Sequence, residues 1–310
     1  NKTTSEELKE ALKKLKDKGM EKLILDLRDN PGGILEQAIE VSSFFLKPNS
    51  LVVYTRGRDT SSVMEFKTKE KATPYRIPLI ILVNSGSASA SEIVAGAMQD
   101  HDRALIVGET TFGKGLVQSV YELSQETALA LTTARYYIPS GRCIQRDYTF
   151  LTDYLKGTGE KISGKEFRTD NGRIVYGGGG VAPDVKLASD KYSLTQMKLQ
   201  GLALYFNFAI EYASKNQKID ENFQLNQEIL EEFFKYLTEN KWFSEEEKDK
   251  ILKDEKEMEK IKFMLKREIL SAKFGMTQGY QLTIKEDEQI VEAIKNFEKA
   301  EELARNYFKD

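Results

Sequence analysis

The chain has 310 residues, enough for one large or two medium domains, and its 40% of hydrophobic residues can form a sizeable core. Lys and Arg number 46 against 49 Asp and Glu, so the net charge is −3 and no basic surface for nucleic acid is predicted. The longest apolar runs fall far short of the roughly 18 residues of a membrane span. No signal peptide is recognisable, and the first residue is Asn1 rather than Met. The composition predicts a soluble globular protein, and its single cysteine excludes an internal disulfide.

The first half of the chain alternates helical and strand patterns. "TTSEELKEALKKL" spaces its leucines along one face of a helix, and "KLILDLR" predicts a strand that ends in the turn "DNPGG". A helix in "ILEQAIEVSSFFL" and buried strands in "LVVYT" and "IPLIILV" follow. "SASEIVAGAMQDH" predicts another helix, and three more strands are predicted in "RALIVG", "GLVQSVYEL" and "TALALTTARYYI". Residues 141–180 lack a periodic pattern and predict an irregular connection. The pattern predicts an α/β fold for residues 1–190.

Residues 191–310 are nearly free of glycine and helical in period. Ser244 stands three positions before Glu247, the spacing of a capping box. Apolar residues recur at helical spacing at Ile251, Met258, Leu265 and Ile269, and again at Ile290, Ile294, Phe297 and Ala304. Packing within a core explains such stripes, and a subunit interface is the alternative. We therefore predict two domains, residues 1–190 and a helical region of residues 191–310.

One motif near the middle of the chain resembles a phosphate-binding loop. Gly108, Gly113 and Lys114 fit the pattern G-x-x-x-x-G-K after the strand "ALIV". A phosphate-binding loop next requires Ser or Thr and a helix, but Gly115 fills that position and the following segment is strand-like. A nucleotide hydrolase is therefore the less favoured alternative.

The same region contains several serines that precede a predicted helix. A serine hydroxyl needs a neighbouring base, and His101, the single histidine, lies roughly 18 Å from Ser89 along one continuous helix. We expect His101 at the carboxyl end of that helix instead. A desolvated lysine amine can serve as the base, and Lys114 stands between two glycines. Because Ser87, Ser89 and Ser91 are all plausible helix caps, the residues alone leave the nucleophile open.

Five ordered segments resemble the signatures of the carboxyl-terminal processing peptidases, also called tail-specific proteases. They are "LILDLRDNPGG", "NSGSASASEIVAGAMQD", "VGETTFGKGLVQ", "LTTARYYIPSGR" and "GGGGVAPDV". The resemblance covers about residues 1–190. It implies a spiral of ββα units like that of crotonase and Clp protease, here with an appended helical region at the carboxyl end.

The resemblance also implies a chemistry and a set of residues. In that family a serine and a lysine 25 residues apart form a catalytic dyad, and the matching residues here are Ser89 as nucleophile and Lys114 as general base. Gln118 matches the glutamine that orients the amine, and the backbone amides of Gly33 and Ala90 match the oxyanion hole. The implied activity is that of a serine endopeptidase that cleaves protein substrates near their carboxyl termini through an acyl-enzyme, without metal or cofactor.

Further expectations concern partners and location. The resemblance implies protein or peptide substrates, a homo-oligomer formed through helical regions, and a periplasmic or envelope location, while the nearly balanced charge predicts no nucleic-acid partner. The PDZ domain that usually precedes the peptidase core of this family is not recognisable in this chain. A non-catalytic binding protein with the same fold is the alternative, and the intact dyad argues against it.

Overall fold

The computed structural model describes residues 2–58, 63–124, 126–146, 164–187 and 193–309. The chain forms two compact units. The first comprises Asn1–Ala188 and Glu292–Asp310, and the second comprises Ser189–Val291. The sequence pattern assigned all of residues 191–310 to one helical region, whereas residues 292–310 belong to the first unit.

The first unit is of mixed α/β type. In chain order it begins with α1 (Thr4–Asp17), β1 (Leu23–Asp26), α2 (Leu35–Ser43), β2 (Leu51–Gly57), β3 (Val63–Lys67), β4 (Leu79–Val83), α3 (Ala90–Asp100), β5 (Leu105–Gly108), β6 (Leu116–Ser124), β7 (Thr127–Tyr137), β8 (Glu166–Arg168), β9 (Ile174–Tyr176) and β10 (Val185–Lys186). Every helix and strand predicted before residue 138 is present, so these predictions are confirmed. His101 caps the carboxyl end of α3, as expected.

A parallel sheet lies at the centre of the first unit, with the strand order β1-β4-β5-β10. All residues of β4 and β5 are buried, which explains why both strands read as continuous apolar runs. A second, antiparallel sheet has the order β3-β2-β7-β6. The core contains apolar residues of β1, β4 and β5 together with those of α3, a helix that is buried along its whole length.

The irregular connection predicted for residues 141–180 is wrong in part. Its described residues include β8 and β9, which pair as an antiparallel hairpin around an Asp-Asn-Gly turn. Strands of three residues are too short to show a period of two, although Asn-Gly is a strong hairpin signal. The rest of that segment, residues 147–163, lies outside the described residues.

The last helix explains why residues 292–310 belong to the first unit. This helix, Phe297–Tyr307, contacts β4 and β5 of the central sheet. The Tyr307 hydroxyl accepts a hydrogen bond of 2.7 Å from the backbone N–H of Lys47. The Phe308 ring centroid lies 5.1 Å from the guanidinium carbon of Arg103, which is fully buried. The apolar stripe in this helix therefore packs on the α/β core.

The second unit is helical in its described residues. It contains α4 (Leu194–Gly201), α5 (Leu204–Lys215), α6 (Gln227–Glu239), α7 (Glu245–Leu252), α8 (Glu255–Phe274), α9 (Met276–Thr283), a 3-10 turn (Ile284–Glu286) and the start of α10 (Glu288–Ile294). The predicted capping box is confirmed, because Ser244 N–H donates to Glu247 at 2.8 Å and Glu247 N–H donates to the Ser244 hydroxyl at 3.1 Å. None of the described helices is both long and apolar enough to cross a membrane.

Candidate active site

Three loops meet at one edge of the parallel sheet. They follow β1, β4 and β5. Because these three strands are parallel neighbours, the carboxyl ends of the strands lie side by side. The loop after β1 contains the turn "DNPGG", the loop after β4 leads into α3, and the loop after β5 leads into β6. All the residues that the resemblance assigns to catalysis lie on these loops or on the elements that follow them.

The loops after β1 and β4 are joined by reciprocal hydrogen bonds. The Asn84 side chain accepts from the Asp29 N–H at 2.9 Å and donates to the Asp29 carboxylate at 3.0 Å. The Ser87 hydroxyl donates to the Leu27 carbonyl at 2.7 Å, and the Ala88 N–H donates to the Asn30 carbonyl at 3.0 Å. These bonds fix the "DNPGG" turn against the residues that precede α3.

Gly32 makes the closest approach between these two loops. A Cβ atom at this position would lie 2.7 Å from the Ala90 nitrogen and 2.9 Å from the Ser89 Cβ, and the Gly32 φ is +91°. A side chain is therefore excluded by both space and backbone conformation. The next residue, Gly33, is exposed beside this contact.

The backbone distinguishes Ser89 from the other two serines. Ser89 has φ 55° and ψ −115°, a conformation that is strained for a residue with a Cβ atom, and it precedes the first turn of α3. Its side chain is partly exposed, whereas Ser87 and Ser91 are buried. The Ser87 hydroxyl already bonds the Leu27 carbonyl. A sharp strand-to-helix turn that presents a serine is typical of hydrolase nucleophiles.

Lys114 and Gln118 both have exposed side chains. Lys114 lies in the loop before β6, and Gln118 lies within β6, where the pairing with β7 shifts register between Val117 and Gln118. Although both residues are described, the Ser89 hydroxyl and the Lys114 amine form no hydrogen bond with each other. The structure thus brings the two residues onto adjacent loops without joining their side chains.

Glu92 connects those loops, and sequence reasoning did not assign it to the site. Its carboxylate is fully buried and accepts the backbone N–H of Ser89 and that of Lys114, each at 2.8 Å. Burial raises the pKa of Glu92, while its hydrogen bonds act in the opposite direction. A glutamate three residues after a helix-capping serine is a capping-box signal, so the spacing Ser89 to Glu92 could have identified it.

The phosphate-binding alternative lacks its main structural element. Lys114 is followed by the strand β6 and not by a helix. Lys114 is therefore not followed by the helix whose first-turn amides and positive dipole hold the phosphate in such a loop. The partial motif belongs to a strand-to-strand connection.

Comparisons with known proteins agree with the motifs. The sequence model described as peptidase family S41 matches residues 1–152. A carboxy-terminal-processing protease of Bartonella bacilliformis is 55% identical over 122 residues, which cover 39% of this chain and 28% of the relative. A carboxyl-terminal-processing protease of Synechocystis sp. is 46% identical over 140 residues, 45% of this chain and 32% of the relative.

One similar solved structure is that of a photosystem II D1 C-terminal processing protease, with 31% sequence identity and a TM-score of 0.47. The match covers 62% of this chain and 41% of the chain in that structure. The chain matches about a third or less of the length of the two curated relatives. The resemblance to carboxyl-terminal processing peptidases is confirmed. Residues 1–152 therefore carry the sequence pattern of peptidase family S41.

Proposed function

We propose that this chain carries the catalytic region of a serine endopeptidase that cleaves protein substrates near their carboxyl termini. Ser89 is the nucleophile and Lys114 is the general base. The observation that carries the proposal is the strained backbone of Ser89 at the start of α3, beside the loop that holds Lys114. Serine and lysine in these positions form a nucleophile and a base without histidine.

The reaction has two steps. In the first, the neutral Lys114 amine takes the Ser89 hydroxyl proton while Oγ attacks the scissile carbonyl carbon. The C–N bond then breaks, and the lysine returns that proton to the leaving amine, which leaves an ester on Ser89. In the second step Lys114 takes a proton from the water that attacks the ester carbon, the bond from that carbon to Ser89 Oγ breaks, and the lysine returns the proton to Oγ. Atoms and charge balance over the cycle, and the product is a shortened protein and its released carboxyl-terminal peptide.

The oxyanion of each tetrahedral intermediate requires preorganised donors. Ala90 is the first residue of α3, so its N–H lies at the positive end of the helix and has no partner within the helix. Gly33 follows Gly32, whose backbone packs against the Ala90 nitrogen. We assign the Gly33 and Ala90 amides to the oxyanion hole, where loss of one donor costs about 10²–10³-fold in rate.

Because the Lys114 amine is exposed, the proposed mechanism requires the bound substrate to shield this amine from water. Only the neutral form of an amine accepts a proton. A substrate chain bound across the three loops would remove water from this amine. Gln118, four residues further along β6, would accept a hydrogen bond from the amine and direct it toward Ser89.

Several finer features are part of the same proposal. The stacked α/β elements of the first unit would form a ββα spiral of the crotonase and Clp-protease type. The second unit would contribute to a homo-oligomer, and the protein would act in the periplasm or cell envelope on protein substrates. These features rest on the family resemblance.

Replacement of Ser89 tests the proposal. We expect Ser89→Ala to lower hydrolysis of unfolded casein by at least about 10⁴-fold, because no other hydroxyl can form the ester. Ser85→Ala, an exposed serine in the same loop, is the matched control and keeps wild-type turnover. A Ser89→Ala chain that still hydrolyses casein at the wild-type rate, with folding verified by circular dichroism, would remove Ser89 from the mechanism.

A further inference from the structure

The backbone around Lys114 is held from two directions by buried side chains. On one side, Gln145 is only 3% exposed, and its Oε1 accepts the Gly115 N–H at 2.8 Å. Its Nε2 donates to the Arg146 carbonyl at 2.8 Å, so both ends of the amide group are bonded. Gln145 therefore has a fixed orientation toward the peptide group that follows Lys114.

The segment that carries Gln145 lies directly against the lysine loop. The Arg146 N–H donates to the Gly113 carbonyl at 2.9 Å. A Cβ atom on Gly115 would lie only 2.7 Å from the Gln145 nitrogen. This close approach requires glycine after Lys114 and leaves the loop little freedom on this side.

On the other side, the Glu92 carboxylate accepts four hydrogen bonds. Its Oε1 accepts the Thr111 hydroxyl at 2.5 Å and the Gly113 N–H at 2.7 Å, and its Oε2 accepts the N–H groups of Ser89 and Lys114. The Thr111 hydroxyl itself accepts the Val181 N–H at 2.7 Å, so its proton is directed to Glu92. Each carboxylate oxygen thus has two donors.

Three consecutive backbone amides, those of Gly113, Lys114 and Gly115, therefore donate to side chains and not to other backbone groups. We propose that Glu92 and Gln145 are positioning residues that clamp this tripeptide and so set the position of Lys114 relative to Ser89. This inference rests on the proposed function of the two residues as a dyad. Neither residue touches the reacting atoms, and both act through the backbone of Lys114.

The clamp restricts the position of a base whose long side chain is exposed and flexible. The lysine side chain has several rotatable bonds, so its amine is placed accurately only if its backbone is fixed. Proton transfer from a serine tolerates displacement poorly, and about 1 Å of misplacement can cost about 10²-fold in rate. Because the Glu92 carboxylate accepts hydrogen bonds from the N–H groups of both Ser89 and Lys114, it fixes the backbone of the base relative to that of the nucleophile.

The experiment compares two buried glutamines in the full chain. Gln145→Met removes the acceptor of the Gly115 N–H with little change in volume. Gln99→Met is the matched control, because Gln99 is 2% exposed and bonds Ala182, Asp184 and Arg142 but not the lysine loop. On unfolded casein we expect Gln145→Met to lower kcat by about 10–100-fold with KM nearly unchanged, while Gln99→Met keeps kcat within about 3-fold.

A second measurement does not depend on turnover. Hydrogen exchange of a peptide containing residues 113–115, followed by mass spectrometry, should accelerate in Gln145→Met and stay at the wild-type rate in Gln99→Met. If the amides of residues 113–115 exchange at the same rate in Gln145→Met and in wild type, the proposed clamp is wrong. A loss of kcat that Gln99→Met shares in full also overturns the clamp, because the effect would then follow from stability alone.

Lys114→Met, measured in parallel, separates the two proposals. If Lys114→Met keeps its turnover, the dyad itself is wrong. If Lys114→Met is inactive while Gln145→Met has wild-type kcat and wild-type exchange, the dyad stands and only the clamp is overturned.

Discussion

The loops of the first unit that carry the candidate active site and the helices of the second unit are held by different forces. In the loops, buried polar side chains such as Asn84, Glu92 and Gln145 bond backbone groups of neighbouring segments. In the second unit, aromatic rings pack together, with the Phe233 centroid 5.1 Å from that of Phe208 and 5.6 Å from that of Tyr205. Apolar packing is non-directional, whereas each buried hydrogen bond permits one arrangement.

That difference indicates where a small change has a large effect. A buried donor left without its acceptor costs about 1–3 kcal/mol, and the loop then loses the geometry that the bond imposed. An apolar core tolerates volume-conserving changes at a cost of less than about 1.5 kcal/mol. Substitutions in the loops should therefore affect activity and stability together, while substitutions in the helices should affect stability alone.

The largest effect is expected from the base itself. Lys114→Arg keeps the positive charge, but a guanidinium does not lose its proton in proteins and cannot serve as a base. We expect kcat/KM on casein to fall by at least about 10³-fold. Lys218→Arg, at an exposed lysine of the second unit, should retain the wild-type rate. Near-normal turnover by a folded Lys114→Arg chain would return Lys114 to the role of an ordinary surface charge.

A pair of glycine substitutions sharpens the comparison. Gly32→Ala places a methyl group 2.5 Å from the Ala88 carbonyl oxygen at a φ of +91°, so we expect about 10²-fold less activity and a lower melting temperature. Gly201→Ala, at the end of α4, meets no atom within 4 Å and should stabilise the helix by about 0.5–1 kcal/mol. Thermal unfolding and casein hydrolysis measure both. Equal effects of the two substitutions would contradict the special role of the first turn.

A smaller difference is expected between two buried side chains. Asn84→Leu leaves the N–H groups of Asp29 and Gly86 without their acceptor and should cost about 2–4 kcal/mol in the free energy of unfolding. Phe233→Leu, in the helical core, should cost about 1–1.5 kcal/mol and leave kcat unchanged. Urea unfolding followed by circular dichroism gives both values. If Phe233→Leu were the more damaging change, polar bonds would not be what fixes the loops.

Much of this molecule could be predicted from sequence because its signals are local. The apolar runs of β4 and β5, the Asn-Pro-Gly-Gly turn and the Ser244 capping box each occupy a few consecutive residues. The ordered motifs then identified the family. The short hairpin of β8 and β9 was missed because strands of three residues carry no measurable period.

The remaining features depend on contacts between distant residues. Gln145 bonds the Gly115 amide 30 positions away, from a segment without any periodic pattern. Glu92 reaches the lysine loop 22 positions away through backbone amides, which have no sequence signature. The choice of Ser89 among three serines came from the family spacing to Lys114, because the backbone angle that distinguishes Ser89 is not encoded by the residue type. Residue type alone therefore left these assignments open.

The central claim is that Lys114 activates Ser89, and covalent labelling measures it directly. The chain is treated with a fluorophosphonate, whose phosphorus is attacked by an activated serine with loss of fluoride, and the adduct is located by peptide mass spectrometry. The account predicts one adduct, on Ser89, that forms in wild type and in Ser85→Ala and is lost in Lys114→Arg. An adduct on a different serine, or equal labelling of Ser89 in wild type and Lys114→Arg, would contradict it.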